Sequence, residues 1–553
     1  MGDSSNYWRD VLSQRMSRRG LLRAGAVGGA GLAWIYAMGC QIGPSQSEPN
    51  SGAKLEPRSG GNLRIGRLQD PLHLDPTLST SLEAAAIHGN TYSRLIRPDS
   101  GPGRPFGTTR FVSDLAEVWE QPDDTTYVFY LRKGVKFHDK PPVNGRELTA
   151  EDVKYTFERL VDKATDSPNA KLYSLLDKIE IPDRYTVKIK IKEPYAPFLN
   201  HLSHHYSSWI IPKEAVEKFG NLKKTIIGTG PFILDSWERN VKAVFKRNPD
   251  YFLKGLPYLD GFEFLYIPGH AARLAAFLSG ELDLGSPFLP DLQSVKSAIP
   301  GVRIDRELPV VQSALTIQVL KPPFNSKRVR QAIKYAINLR NLISVVYSGE
   351  AVWGSAVPPV FLEWALPQDE LQRLWRQDID LARQLMAADG RADGFKTTIY
   401  TTTAHGQVYI DIAENIARQL REINIDVSLQ IKEYAAHLAA VQDGNFEMFV
   451  GPKTISADID EYLYAGYHTR GVRNWPHGSD PALDLLLEKQ RKSFKEEERT
   501  KIVKDIQRML ADLAFDVPLP SPYSFSSVPP YVKDYQGSAD AGAPALMFVW
   551  QDK

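Results

Sequence analysis

Cysteine is almost absent from this chain, whose 553 residues contain a single one, Cys40. One cysteine cannot form an internal disulfide, so the folded state must be stabilised by burial of apolar side chains. A surplus of charge is absent too, because 67 Lys and Arg residues stand against 66 Asp and Glu residues. This balance removes the basic excess that nucleic-acid binding calls for, and no nucleic-acid partner is expected.

The usual motifs of nucleophilic catalysis and phosphate binding are also missing. The sequence has no GxSxG, GxGxxG or Walker A pattern, and residues 101–107 (GPGRPFG) have the wrong spacing for a phosphate loop. The carboxylate pair Asp458 and Asp460 is of a kind common on solvated loops, so it is weak evidence for hydrolysis. No enzymatic activity and no cofactor are expected, and a secreted α/β hydrolase is the alternative that substrate turnover would reveal.

The first 39 residues carry the features of an export signal. Basic residues, including Arg18 and Arg19, precede an apolar stretch at residues 24–38 that is short for a bilayer core of about 30 Å. The paired arginines resemble a twin-arginine signal. The small residues before Cys40 resemble a bacterial lipoprotein processing site, although Ala37 stands where such sites usually carry Leu. The alternative is an inert apolar N-terminus with an accidental cysteine.

A lipid-anchored, extracytoplasmic protein is therefore predicted. Residues 1–39 would be a twin-arginine-type signal peptide, Cys40 would be lipidated, and the Ser-, Pro- and Gly-rich residues 40–57 would form a flexible tether. The mature protein would be held at the cell membrane, in the periplasm or at the outer face. No later stretch approaches the roughly 18 apolar residues of a membrane span.

Strand-like and helix-like patterns alternate along the rest of the chain. Leu63 and Ile65 alternate with polar neighbours as in a strand, and Thr149 with Asp152 has the pattern of a capping box. Mixed elements with short connections predict an α/β architecture. Strands are predicted at residues 125–132, 185–191, 241–246 and 425–431, and helices at residues 82–95, 327–347, 380–388 and 411–422.

Several sequence blocks, read in chain order, resemble the family 5 extracellular solute-binding proteins of ABC importers, which include oligopeptide-, dipeptide- and nickel-binding proteins. No single block is decisive, but their colinear order over nearly the whole mature chain is specific. The strongest match is LRKGVKFHD at residues 131–139, followed by LTAEDV at 148–153. The other blocks are residues 61–65, 74–76, 228–232, 247–252, 279–283, 322–325, 329–332, 474–475 and 481–484.

This resemblance implies a two-lobed periplasmic-binding-protein fold of type II, in its large three-subdomain variant, with a hinge and a ligand cleft between the lobes. Lobe I would comprise residues 58–100, 201–310 and 526–553, with a subdomain at 101–200, and lobe II would comprise 311–525. The resemblance further implies a monomer that captures a small molecule, a peptide or a peptide-like solute. It would deliver this ligand to ABC permease subunits with their ATPases.

The resemblance places the most ligand information at residues 449–463. In peptide-binding relatives an aspartate here pairs with the ligand's α-ammonium group, a charge-assisted contact. One alignment puts this position at Ile455, which would remove the anchor, and a shorter alignment puts it at Asp458. The first register is favoured because it keeps Tyr462 and Leu463 aligned with the aromatic-leucine end of the family stretch.

Further ligand contacts are predicted on both lobes. Tyr462 and Trp475 would be cleft aromatics, with core packing as an equally good alternative. The segment Ser79, Thr80 and Ser81 would offer backbone groups to an extended ligand, as in relatives. Its alternative role is the start of a helix capped by Ser81.

The best metal-like cluster is formed by His201, His204 and His205, but no metal site is predicted. His201 and His205 have helical i, i+4 spacing, yet the sequence offers neither a nearby cysteine nor an HExxH glutamate. A signalling or chaperone-like relative that binds a protein partner is the remaining alternative to a transport receptor.

Overall fold

The computed structural model describes residues 56–308, 310–456, 458–540, 542 and 545–553. Arg18, Arg19 and Cys40 therefore lie outside the described residues, and the predictions made for them stay predictions. Within the described ranges, no helix combines the length and the apolar character that crossing a membrane requires.

A four-stranded sheet forms the base of lobe I. Leu63 is fully buried, as the apolar alternation at residues 62–67 predicts. The first strand pairs in parallel with the strand that ends at Tyr266, and the remaining pairs are antiparallel. In spatial order the strands are Asn62–Arg67, Gly261–Tyr266, Lys242–Arg247 and Phe232–Glu238.

The predicted subdomain contains an antiparallel four-stranded sheet with a helix, Ala150–Val161, packed on it. The capping box predicted at the start of this helix is confirmed, because the Thr149 backbone N–H donates to Asp152 Oδ2 at 2.9 Å. In spatial order the strands are Ala116–Asp123, Thr126–Leu131, Thr186–Ile191 and Leu176–Asp183.

A mixed five-stranded sheet lies at the centre of lobe II. Its two parallel pairs join the strands Phe395–Thr401, Ile425–Ile431 and Met448–Ile455, while Val311–Ile317 and Asp516–Pro518 are antiparallel to their neighbours. Helices cover this sheet and bury an apolar core that includes Ile333, Ile416 and Val450. The spatial order is Ile425–Ile431, Phe395–Thr401, Met448–Ile455, Val311–Ile317 and Asp516–Pro518.

The remaining elements connect these three sheets. The other paired strands are Ile96–Pro98 with Phe111–Ser113, Ala351–Val352 with Ser521–Pro522, and Val532–Lys533 with Trp550–Gln551. The other helices of the N-terminal half are Leu82–Thr91, Phe198–Leu202, Lys213–Phe219, His270–Leu278 and Leu292–Ala298. Those of lobe II are Lys327–Ala336, Leu339–Tyr347, Gln368–Leu374, Ile379–Ala388, Gln407–Leu420, Tyr434–Gln442, Ile459–Tyr467, Pro481–Arg491 and Glu496–Leu513. Short 3₁₀ helices span Ala170–Tyr173, Leu289–Asp291, Thr403–His405, Arg421–Ile423 and Ala545–Phe548.

A two-stranded antiparallel ribbon carries the chain between the lobes. It pairs Arg303–Glu307 with Ser524–Val528, so the two chain crossings run side by side. The lobe II sheet begins a few residues later, at Val311. We call this pair the hinge ribbon; the predicted boundary at 310/311 follows its first strand, and the one at 525/526 falls within its second strand. Adjacent crossings of this kind suit the hinge type of domain motion, in which a few element-terminal residues absorb the rotation.

Two predicted helices differ most in extent from the observed ones. The helix predicted at residues 82–95 ends at Thr91, and Ile96–Pro98 is a strand. The helix predicted at 327–347 is two helices, because Ile337 is extended and Asn338 caps the second helix by accepting the Asn341 N–H at 2.8 Å. A polar side chain that caps a helix competes with continuous helical geometry, and apolar periodicity alone cannot show this.

The block at residues 131–139 and the glycines at 228 and 230 form scaffold. A Cβ atom on Gly228 would lie 2.1 Å from Thr91 O, so this position needs glycine for a close approach of two backbone segments. The buried His138 ring lies 3.2 Å from Gly230 O and accepts the Gly228 N–H through Nδ1 at 3.3 Å. These contacts join the subdomain to lobe I.

Candidate functional site

The two lobes meet at the carboxyl end of the strand Met448–Ile455. The chain turns there, and the helix Ile459–Tyr467 begins at an N-cap, Asp458, whose Oδ1 accepts the Asp460 N–H at 2.9 Å. Asp458 and Asp460 are both buried, at 2% and 6% exposure. The prediction that they belong to a solvated loop is therefore wrong, because residues of the subdomain and of lobe I cover them.

Asp460 links lobe II to the subdomain. Tyr195 Oη donates to Asp460 Oδ2 across the interface at 2.9 Å, and Gln490 Nε2 donates to Oδ1 at 2.5 Å. Arg491 Nε lies 3.2 Å from Oδ2, and its guanidinium covers the Tyr195 and Tyr464 rings at 4.7 and 3.9 Å. Burial raises the pKa of Asp460 even though Arg491 acts in the opposite direction.

Asp458 faces His201 of lobe I. The His201 Nδ1–H donates to Leu172 O at 2.5 Å, so Nε2 is the ring nitrogen that faces Asp458 Oδ2, at 3.5 Å. This arrangement is attractive only when Nε2 also carries a proton, that is, when His201 is cationic. Burial opposes that charge, but the Asp458 carboxylate outweighs it, so the pKa of His201 is raised and that of Asp458 is lowered.

A second carboxylate–arginine pair lies beside these residues on lobe II. Arg473 Nη1 lies 3.2 Å from Glu461 Oε2. Burial raises the pKa of Glu461, while Arg473 acts to lower it. Arg473 also acts electrostatically on Tyr206 of lobe I and lowers its pKa. Glu83, in the first turn of the helix Leu82–Thr91, acts on the same tyrosine and raises its pKa. Charged groups of both lobes are therefore within electrostatic reach of one another here.

The lobes are also in contact at a second place. Trp364 Nε1 of lobe II donates to Thr109 Oγ1 of the subdomain at 2.8 Å, and Arg110 Nη2 lies 3.1 Å from Glu363 Oε1. Lobe II therefore contacts the rest of the molecule in two separate regions besides the hinge ribbon. A closed cleft shields a bound molecule from water, which strengthens its polar contacts with the protein.

The segment Ser79, Thr80 and Ser81 lies at the start of the helix Leu82–Thr91. Ser81 is its N-cap, as the alternative prediction had it, and accepts the Ala84 N–H at 3.4 Å. The Ser79 carbonyl is occupied by the side chain of Asn169, at 3.0 Å. Thr80 is exposed, so it is the part of this segment that a ligand can reach most directly.

The two predicted cleft aromatics differ in accessibility. Tyr462 is fully buried, and its Oη donates to Ser456 O at 2.5 Å and accepts the Ser456 N–H at 3.0 Å. Because the Tyr462 ring is enclosed in the core of lobe II, Tyr462 is not among the ligand contacts proposed below. Trp475 is half-buried and packs edge-on against Phe449 at 5.8 Å, which leaves part of its ring accessible.

The two registers of the ammonium anchor place different groups at that position. The Ile455 backbone pairs with Val311 at the end of the sheet. Asp458 uses Oδ1 as a helix cap, while its buried Oδ2 accepts no hydrogen bond from the described residues and lies 3.5 Å from His201 Nε2. Lys453 on the same strand as Ile455 is buried, with Nζ 2.5 Å from Asp516 Oδ2, so it is not available to a ligand.

The three histidines at residues 201–205 do not converge on one point. The helix that carries His201 ends at Leu202, so His205 does not follow on the same helix. His205 Nδ1 lies 3.5 Å from Asp540, whereas His201 faces Asp458. Burial lowers the pKa values of His204 and His205.

Sequence reasoning missed Tyr195, Arg491 and Glu461 as parts of the interface. The partner of Tyr195, Asp460, lies 265 positions away in the sequence. A polar side chain inside a mixed segment carries no signal of such a pairing. The nearest available signal was the i, i+4 spacing of His201 and His205, which pointed to a metal rather than to an aspartate of the other lobe.

The comparisons with known proteins agree with this geometry. The model of "Bacterial extracellular solute-binding proteins, family 5 Middle" matches residues 110–474. The glutathione-binding protein GsiB of Salmonella choleraesuis is 27% identical over 409 residues, which cover 72% of this chain and 78% of GsiB. Neither the motifs nor the relatives indicate catalysis, and the protein is a binding protein rather than an enzyme.

Solved structures show the same two-lobed fold. The periplasmic binding protein DppA of Helicobacter pylori, in complex with the peptide STSA, is 30% identical with a TM-score of 0.71, covering 90% of this chain and 99% of DppA. HbpA2 of Haemophilus parasuis has a TM-score of 0.79 at 22% identity, covering 89% of this chain and 100% of HbpA2. The matched family model spans more than half of the chain, which therefore belongs to the family 5 bacterial extracellular solute-binding proteins.

Proposed function

We propose that this protein is the lipid-anchored, extracytoplasmic receptor of an ABC importer and that it captures a peptide or peptide-like solute. It closes over the solute and, as a monomer, presents it to permease subunits that are driven by ATPases. Relatives named for glutathione and a structural neighbour solved with the peptide STSA support this ligand class.

The observation that carries this proposal is the hinge ribbon together with the polar interface between the lobes. The contacts of Tyr195 with Asp460 and of His201 with Asp458 join residues that belong to different lobes. Such contacts form on closure and stabilise the closed state relative to an open one. They are single hydrogen bonds and ion pairs, so ligand binding can shift the balance between the two states.

The proposed division of the chain follows the sheets. Lobe I comprises residues 58–100, 201–310 and 526–553, the subdomain 101–200 packs on it, and lobe II comprises 311–525. We further propose Thr80 on lobe I and Trp475 on lobe II as ligand contacts, because Thr80 is exposed and Trp475 is half-buried. Ser79, Ser81, Ile455 and Asp458 are proposed as further contacts through their backbone and capping groups.

A ligand is expected to compact and stabilise the protein. The probes are a pooled tripeptide and tetrapeptide library and reduced glutathione. A bound probe should raise the melting temperature with increasing concentration, by mass action on the folded state. It should also reduce the radius of gyration measured by X-ray scattering, since the lobes close around it. Saturable binding without compaction would contradict closure and favour an open interaction surface for a protein partner.

Membrane attachment is expected to depend on Cys40. The Cys40→Ser variant should lose lipid labelling and appear in the soluble fraction, because stable attachment needs the acyl chains. Ser47→Ala, in the same predicted tether, is the matched control and should stay in the membrane fraction. Replacing Arg18 and Arg19 with lysine should block export. A Cys40→Ser protein that remains on the membrane after a carbonate wash would refute the lipoprotein assignment.

A further inference from the structure

Arg67 occupies a distinctive place in lobe I. It is the last residue of the strand Asn62–Arg67 and pairs with Tyr266, the last residue of the neighbouring parallel strand. The carboxyl ends of parallel strands form the edge at which open α/β sheets bind their ligands. Arg67 therefore stands where lobe I presents side chains towards a ligand.

The guanidinium of Arg67 has no acceptor among the described residues. No hydrogen bond joins it to them, and none of their carboxylate oxygens lies within 4 Å of its nitrogen atoms. Its only close contact of note is the Phe264 ring, whose centroid lies 5.3 Å from the guanidinium carbon. Because five N–H groups are available on a planar fork, this is a large unused donor capacity.

Other arginines in similar surroundings are paired. Arg64 on the opposite face of the same strand contacts Asp283, with Nε 3.1 Å from Oδ2. The buried Arg94 contacts Asp540 at 2.8 Å, and the buried Arg330 donates to the carbonyls of Phe324 and Leu513. Cations withdrawn from water are nearly always paired in proteins, because desolvation without a partner is costly. Arg67 is half-buried and has no such partner among the described residues, so its guanidinium is available to an acceptor on a ligand.

The surroundings of Arg67 favour a small anion that approaches from the cleft. Burial lowers the pKa of Arg67, while Glu83 and Tyr535 act in the opposite direction from a distance. Glu83 is held away by Ser81, whose Oγ donates to Glu83 Oε2 at 2.8 Å. Glu83 also acts electrostatically on Tyr206, which lies within reach of Arg473 of lobe II. Arg67 thus belongs to the same charged region that faces the other lobe.

We propose that Arg67 binds a carboxylate group of the transported solute and that this contact selects ligands with a negatively charged end. The planar guanidinium can form two parallel hydrogen bonds with a carboxylate, a geometry that adds specificity. This inference rests on the proposed function and narrows its ligand class. The carboxylate can be the C-terminus of a peptide or an acidic side chain.

The test uses a pooled tripeptide library in two forms, one with free C-terminal carboxylates and one with C-terminal amides, each free of acidic side chains. Peptides retained by the full-length protein are identified by mass spectrometry after rapid desalting. A third pool carries an acidic side chain and an amidated C-terminus, and so distinguishes the two sources of the carboxylate. The test variant is Arg67→Gln. The control variant is Lys254→Gln, which also removes one positive charge from lobe I but at an exposed position.

The wild type and Lys254→Gln should retain carboxylate-bearing peptides over neutral ones by about tenfold or more, and Arg67→Gln should lose this preference. Unchanged preference in Arg67→Gln, with peptides still bound, would overturn the role of Arg67 and leave the proposed function intact. Retention of no peptide from any pool by the wild type would overturn both. Equal loss of all peptides by Arg67→Gln, with a melting temperature far below that of the wild type, would show a structural role and overturn the inference.

Discussion

Replacing Asp460 with alanine is expected to lower the free energy of unfolding by about 3 kcal/mol. The substitution leaves Tyr195 Oη, Gln490 Nε2 and the Arg491 guanidinium without their common acceptor at a largely buried site. An unpaired cation that is mostly buried costs more than the loss of one hydrogen bond, because its desolvation is no longer offset. Urea unfolding of the ligand-free variant measures this loss.

A matched surface pair provides the control for Asp460. Asp369 forms an ion pair with Arg373 at 2.8 Å, but both side chains are mostly exposed, at 70% and 68%. Asp369→Ala should cost about 0.5 kcal/mol or less, as is usual for exposed pairs. Tyr195→Phe isolates the interlobe contact, since it removes one hydroxyl and leaves the Asp460–Arg491 pair in place. If Asp460→Ala were no more destabilising than Asp369→Ala, the buried network would have no energetic role.

Ligand affinity is expected to fall as the pH rises through the raised pKa of His201. The pair of His201 with Asp458 is attractive only while His201 is protonated, and Asp458 raises the pKa of His201 above the ordinary 6.5 although burial acts to lower it. The stabilisation of the closed form is therefore fully present below pH 6.5 and lost above the shifted value. On the acid side it is lost only below the ordinary Asp pKa of 3.8, because the pKa of Asp458 is lowered.

Variants of this pair should remove the pH dependence of affinity. His201→Gln and Asp458→Asn should each weaken ligand binding by about tenfold at about pH 6, and the double variant should lose little more. At about pH 9 the wild type should approach the variants. The control is Asp484→Asn, which affects the His468–Asp484 contact at 3.9 Å within lobe II and should leave the pH profile unchanged. If the affinity of the wild type did not change over this pH range, the pairing would be contradicted.

The same variants decide between the two registers of the ammonium anchor. If Asp458 acts through closure, Asp458→Asn should weaken a free peptide and its N-acetylated form equally, and Ile455 then occupies the anchor position. If Asp458 binds the ligand's ammonium group, only the free peptide should lose affinity, by about 2 kcal/mol or more. We expect the first result, because Asp458 already contacts His201 and caps a helix. A loss confined to the free peptide, measured by calorimetry, would contradict this expectation.

Local patterns gave reliable predictions of the secondary structure. The strand predicted at residues 425–431 is observed with the same bounds, and the capping box of Thr149 with Asp152 forms as expected. Both depend on residues that are close in sequence, so their signal is contained in a short window. The helix predicted at 327–347 failed because its break at Ile337 and Asn338 arises from a cap, which apolar periodicity does not reveal.

The sequence by itself determined the class of this protein, because colinear blocks and missing catalytic motifs are properties of the linear chain. It also singled out residues 449–463 as the stretch with the most ligand information, which stays a prediction. Only the tertiary structure decided the roles of the side chains there. Tyr462 and Lys453 are buried and contact other residues of the protein, and two segments that are distant in sequence place His201 next to Asp458. Pairings between residues hundreds of positions apart depend on how the lobes pack, and no local pattern encodes that packing.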